Sequence, residues 1–96
     1  MNLIIKPSDK PDKKFTAIFS EDGKKVKTIN FGLKGSTTFL DTGDKNLRKA
    51  YRARHQKVYD KAPPMSASRL SYEIIWGAST SYRENLKSYK SKYGFN

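Results

Sequence analysis

Apolar and polar residues alternate from Lys14 to Ser20 (KFTAIFS), which puts Phe15, Ala17 and Phe19 on one side of an extended chain. Lys25 to Phe31 (KVKTINF) is similarly rich in β-branched and aromatic residues, and Glu21-Asp22-Gly23-Lys24 lies between the two runs. An Asp-Gly pair takes the positive φ of a tight turn at little cost, so the spacing predicts a β-hairpin. Lys25 and Lys27 place charge on the return strand, which suits a sheet solvated on one side or a guarded edge. Leu3-Ile4-Ile5 is expected to add a short strand before a polar loop over residues 6–14, and Ser36 to Leu40 (STTFL), after Gly32 and Gly35, one more.

From Asp44 the period turns helical. At about 100° per residue, Leu47, Tyr51, Val58 and Ala62 share a narrow arc. Asp44 or Thr42 is available as N-cap, and Pro63-Pro64 ends the helix. A second helix is predicted from about Ser66 to Trp76, closing at Gly77. Its Leu70, Tyr72, Ile74, Ile75 and Trp76 are apolar nearly all round, as in a central helix or a contact between two copies. A third begins near Ser79 to Ser81, where Ser81-x-x-Glu84 has capping-box spacing. It carries Tyr82, Leu86, Tyr89 and Tyr93 on one stripe and ends at Gly94. Strands first and helices after predict an α+β fold: a small N-terminal antiparallel sheet, hairpin plus one or two strands, packed with about three C-terminal helices. A single basic domain over residues 1–96 is expected, compact from about 13 to 95.

The chain has 96 residues, with 20 Lys plus Arg against 9 Asp plus Glu, a formal charge of +11. A chain of this size buries only about 60–65 % of its unfolded surface, which favours a binding surface over a deep catalytic cleft. With no cysteine and one histidine, disulfides, thiolate chemistry and Cys-type zinc or iron–sulfur sites are excluded, and neither a metal nor a cofactor is expected. The apolar run at the N-terminus is broken by Lys6 and Pro7, unlike a secretory signal, and no window approaches the roughly 20 apolar residues of a membrane span. The expectation is a protein neither secreted nor partnered with a membrane.

Charge placement sharpens this. Lys45, Arg48, Lys49 and Arg52, with His55, Gln56 and Tyr59, fall in an arc of about 120° opposite the Leu47/Tyr51/Val58 stripe. On the last helix Arg83, Lys87 and Lys90 lie together, away from its aromatic stripe. Any amphipathic helix has a charged outer face, but a merely solvated one usually mixes Glu with Lys, and the first helix is nearly all cationic. Such stripes suit phosphate, because each neutralised phosphate releases condensed counterions without any reading of sequence. Arg48 and Arg52 are expected to bridge phosphates, and Tyr59 to bond a phosphate or stack on an unpaired base. The partner so predicted is nucleic acid, DNA before RNA, bound largely independently of sequence.

Arg54 falls among Leu47, Tyr51 and Val58 on the wheel, so it is expected to be structural and paired with Asp41, Asp60 or Glu73. Trp76 is likewise assigned to structure. Pro11-Asp12 followed by Asp22-Gly23-Lys24 reproduces the letters of a Mg²⁺-dependent nuclease, but Asp22 and Lys24 lie in a tight turn, and a non-enzymatic protein is the stronger expectation. The competing binding class is an interaction module docking on an acidic protein, with a homodimer through the apolar second helix as a further possibility.

Phe31-Gly32-x-Lys34-Gly35, then Arg48-x-x-Tyr51-x-x-Arg54-His55-x-Lys57, then Leu70-Ser71 before Ile74-Ile75-Trp76, follow one another in order. Over about residues 13 to 95 the chain resembles a family of short basic proteins of nucleocytoplasmic large DNA viruses, marseillevirus-like and mimivirus-like. Those proteins carry an FGxxG turn, an RH-containing helix and a late LLW-like helix. Asn30 stands where a His often precedes the FG, and Gly77 where Asn follows the Trp. The resemblance implies a viral setting, with viral DNA as the polyanion and the virion, or the cytoplasm or nucleus of the infected cell, as the location. Genome packaging or virion-associated DNA binding are the roles it suggests.

Overall fold

The computed structural model describes residues 1–35 and 37–96. The elements are β1 (Asn2–Pro7), β2 (Lys13–Glu21), β3 (Lys24–Leu33), α1 (Phe39–Thr42), α2 (Lys45–Lys61), α3 (Ala67–Leu70), which continues into a π-helical turn at Ser71–Ile75, and α4 (Tyr82–Tyr93). The fold is α+β, with a three-stranded antiparallel sheet in the order β1-β2-β3 ahead of the helices.

The hairpin forms where the Asp-Gly pair predicts it. Asp22 (φ 51°) and Gly23 (φ 78°) both take the left-handed φ that a two-residue turn between twisted strands requires. Phe15 pairs with Phe31 and Ala17 with Ile29, while a bulge after Phe19 leaves Val26 opposite no residue. Leu3 pairs with Phe19 and is fully buried, so the N-terminal segment is part of the core, and the expected compact region from residue 13 is too short. Residues 6 and 7 of the expected loop belong to β1, because the strand continues in register as far as Pro7 opposite Phe15. The outer edge of β1 is met by the C-terminus: the Leu3 N–H donates to the Asn96 carbonyl and the Asn96 N–H to that of Met1, both at 2.9 Å.

The fourth strand expected over Ser36 to Leu40 is not formed by its described part, and Ser36 lies outside the described residues. Instead α1 makes one helical turn. The Asp41 carboxylate accepts from both the N–H (3.0 Å) and the hydroxyl (2.8 Å) of Thr38, and Gly43 closes the turn in the left-handed region. These local bonds outweigh the β-propensity of Thr37, Thr38 and Phe39.

The inner face of the sheet, through Leu3, Ala17, Phe19 and Phe31, packs with Leu70, Ile74, Ile75, Trp76 and Tyr89 in one cluster. At Gly32 (φ 79°) the strand runs so close to the π turn that a Cβ would stand 2.7 Å from Ile75 Cδ1. The apolar residues of the predicted second helix are therefore buried within this chain. That makes it the central helix and leaves it no apolar face for the homodimer contact. The remaining caps fall where the sequence puts them: Asp44 on α2, Ser81 on α4, and Gly94 at the end of α4.

Candidate nucleic-acid interface

Helix α2 is 17 residues long and none of them is fully buried; half-buried Leu47 and Tyr51 pack against the core, and long polar side chains complete the attachment. Two arginines of α2 contribute most of these polar bonds. Arg48 Nε donates to the carbonyls of Gly77 (2.7 Å) and Trp76 (3.2 Å), and Arg52 Nη1 to those of Trp76 (2.8 Å) and Tyr72 (3.2 Å). These carbonyls close the helical run that ends in the π turn, where backbone acceptors lack a further helical partner, and the negative end of the helix dipole favours a cation. Burial, and then the neighbouring Arg52 guanidinium, push the Arg48 pKa down.

The brace is reciprocal. Arg69, at the start of the second helical run, donates to the Tyr59 (3.0 Å) and Ala62 (2.6 Å) carbonyls at the end of α2. Between the two ends the rings of Tyr59 and Tyr72 stack at 3.9 Å, with Arg52 3.9 Å over Tyr72 and Arg69 4.2 Å over Tyr59. The result is a column of guanidinium, two rings and guanidinium, in which each cation meets a π face. Arg69 also donates to the Tyr93 hydroxyl, and Tyr93 and Lys92 both donate to Glu73. Hydrogen bonding to Glu73 and then to Tyr59 holds the Lys92 pKa above the ordinary lysine value.

Arg48, Arg52 and Tyr59, predicted to meet phosphate, are thus drawn into the fold. Arg54, predicted to be structural, is exposed, and among the described residues it makes no ion pair with Asp41, Asp60 or Glu73. Relative to the wheel prediction the helix is rolled by about 50° toward its arginines, since carbonyl acceptors at the end of the π turn lie on that side. Val58, on the predicted core stripe, is 54 % exposed as a consequence. Arg69 is the structural arginine the sequence reading assigned to Arg54. Trp76 keeps its structural role: it is buried and stacks at 4.3 Å on Tyr51, with burial pushing the Tyr51 hydroxyl pKa up.

The outward half of α2 carries Lys45 and Lys49 along one flank and Arg54, Lys57 and Lys61 along the other, all exposed. Among the described residues the ion pairs join Met1 to Glu21, Lys14 to Asp41 and Lys92 to Glu73, so none of these five cations has a carboxylate partner. His55 is half-buried, with Nδ1 2.9 Å from the Tyr51 carbonyl. Arg83 and Lys87 are exposed and Lys90 half-buried. They lie about half a turn round α4 from Asn85 and Tyr89, which face the body. Asp12 and Asp22 stand at opposite ends of the nine-residue β2, about 30 Å of strand apart, too far to share one metal ion.

Beside α2 a half-open groove of about 500 Å³ runs between Leu47, Tyr51, Arg54, His55 and Val58, the end of β3 and the start of α3. Lys13, Arg54 and His55 line it, and no described lining residue is acidic.

A family of unknown function (DUF5754) has a model that matches residues 3–55, from β1 through most of α2. "Uncharacterized protein L851" of Acanthamoeba polyphaga mimivirus is 35% identical over 81 residues, which cover 78% of this chain and 81% of the relative. No solved structure matches the chain. With a family match over more than half its length, and a mimivirus relative spanning most of both proteins, the chain belongs to the DUF5754 family, which reaches into the giant viruses.

Proposed function

We propose that the protein is a non-enzymatic nucleic-acid-binding protein that grips the phosphate backbone, of DNA before RNA, largely without reading sequence. The observation that supports this reading is the outward half of α2, where Lys45, Lys49, Arg54, Lys57 and Lys61 are exposed and make no ion pair among the described residues. Cations meant only to solvate a helix gain by local pairing with Glu or Asp at i+3 or i+4. Left unpaired, they repel one another until a polyanion neutralises them, and released counterions then supply the affinity. Arg48 and Arg52 support the grip indirectly by fixing the roll of α2. Given the mimivirus relative, viral DNA is the proposed polyanion, and binding to the genome in the particle or the infected cell the proposed setting.

Fluorescence anisotropy of a labelled duplex across a salt series tests this. Four or five phosphate contacts give a slope of log K against log salt of about −4, and changing the five α2 cations to Gln flattens it. Absence of binding by the native chain at about 50 mM salt overturns the proposal. The same result follows if the quintuple variant, still folded, binds as tightly as the native chain.

A further inference from the structure

The groove beside α2 has a chemistry that phosphate attraction does not require. Val58 and Leu33 are large apolar residues that remain more than half exposed, and both line it. Its aromatic wall is a stack: Trp76 lies 4.3 Å from Tyr51 and His55 4.0 Å from Tyr51, all nearly parallel. Two rings within stacking distance of one ring occupy its opposite faces, so the column ends on half-exposed His55. Because the Tyr51 carbonyl can only accept, His55 Nδ1 is the donor in that bond, and Nε2 is left for a ligand. Arg54 stands at the rim, and Lys57 and Lys61 follow at i+3 and i+7 on the exposed side of the helix. They extend along about 10 Å of axis, the rise of some three nucleotides.

We propose that this groove takes one unpaired base of a single strand, stacked at the His55 end of the column against the apolar wall, while Arg54, Lys57 and Lys61 hold the flanking phosphates. The inference rests on the nucleic-acid reading above and adds strandedness to it: a base inside a duplex stays within its own stack and cannot enter. A partly apolar, aromatic pocket with cations, and no acidic residue among its described lining, is complementary to a nucleobase carrying a phosphate. Ser68 and Ser71, also in the lining, can bond base edges without selecting one base.

The test compares three ligands on the full chain at low salt: oligothymidine, an abasic strand of the same length and charge, and a duplex. Oligothymidine is expected to bind roughly tenfold more tightly than the abasic strand, the contribution of one stacked base. It is also expected to change the fluorescence of Trp76, the single tryptophan, while the abasic strand does not. Ala67→Leu, at the exposed mouth of the groove, should bring oligothymidine down to the abasic level and leave abasic affinity unchanged. Equal affinity of the native chain for the base-bearing and abasic strands overturns the groove assignment and leaves the backbone reading standing. Absence of binding to all three ligands overturns both. A Trp76 response to polyglutamate with none to oligothymidine assigns the groove to an acidic polypeptide and overturns the inference.

Discussion

Arg52→Met separates a side chain that holds the fold from one that holds a ligand. Arg52 Nη1 donates to the Trp76 carbonyl at 2.8 Å and the Tyr72 carbonyl at 3.2 Å, and its guanidinium lies 3.9 Å over the Tyr72 ring. Hydrogen bonds from a charged donor contribute about 1.5–3 kcal/mol each, with the longer one at the low end, and a partly desolvated cation–π contact adds about 1 kcal/mol. Methionine keeps the apolar stem and water replaces part of the lost bonding, so a net loss of about 2–4 kcal/mol is expected. For a domain of this size, at about 4–8 °C per kcal/mol, the melting temperature falls by about 8–32 °C. Arg54→Met, by contrast, removes an exposed cation without a described partner and should stay within about 0.5 kcal/mol of the parent. Thermal melts followed by far-UV circular dichroism, with urea unfolding as a second readout, measure both. If Arg52→Met melts with the native chain while Arg54→Met loses ten degrees or more, the roll of α2 derived from the carbonyl bonds is wrong. The wheel orientation then stands. Binding isotherms should show the reverse ranking, with Arg54→Met the weaker DNA binder of the two at matched folded fraction.

Gly77→Ala puts a Cβ 2.3 Å from the Glu73 carbonyl oxygen, a backbone atom that cannot rotate away, and should cost about 3 kcal/mol or more in urea unfolding. A smaller effect than about 1 kcal/mol would mean the chain does not pass that close. Asn85 is buried and donates to the Ile74 (2.9 Å) and Ser79 (2.7 Å) carbonyls while accepting from the Ser79 N–H (3.1 Å). Asn85→Leu keeps the volume and orphans those groups, so a loss of about 2–4 kcal/mol is expected, against near neutrality if water reaches the site. Hydrogen bonds from the Thr38 hydroxyl and then the Thr38 N–H hold Asp41 below the ordinary carboxylate value of 3.8. Because the folded value is the lower one, its stabilisation is complete above that ordinary value and is lost as pH falls through the folded one. Asp41→Asn should therefore lower stability near neutrality and flatten the acid limb of the urea midpoint plotted against pH; an unchanged limb would remove Asp41 as its cause.

Features whose causes are local were legible in the sequence. The Asp22-Gly23 turn, the Asp44 and Ser81 caps, the stop at Pro63 and the left-handed Gly94 each depend on bonds or sterics within a few residues. The order of strands before helices followed from the change of hydrophobic period, and with it the α+β class. Thr38-x-x-Asp41 before Gly43 was equally local, yet it lay inside a run of β-formers, and its capping bonds prevailed over propensity only in the folded chain.

The candidate site was legible only in part. A helical wheel gives relative angles between side chains and says nothing about how the helix is rolled on its neighbours. On α2 the roll is set by the carbonyls of Tyr72, Trp76 and Gly77, which lie 20 to 29 residues from the arginines that bind them. Those acceptors draw in Arg48 and Arg52 and turn Arg54 out. Arg69 carried no sequence signal, because the carbonyls it caps belong to another helix. The cationic character of α2 and its two ends are local properties of residues 44 to 64. Which of its cations remain free for a ligand depends on the tertiary fold, because part-buried carbonyl oxygens at the end of the π turn, short of helical partners, take up Arg48 and Arg52 first.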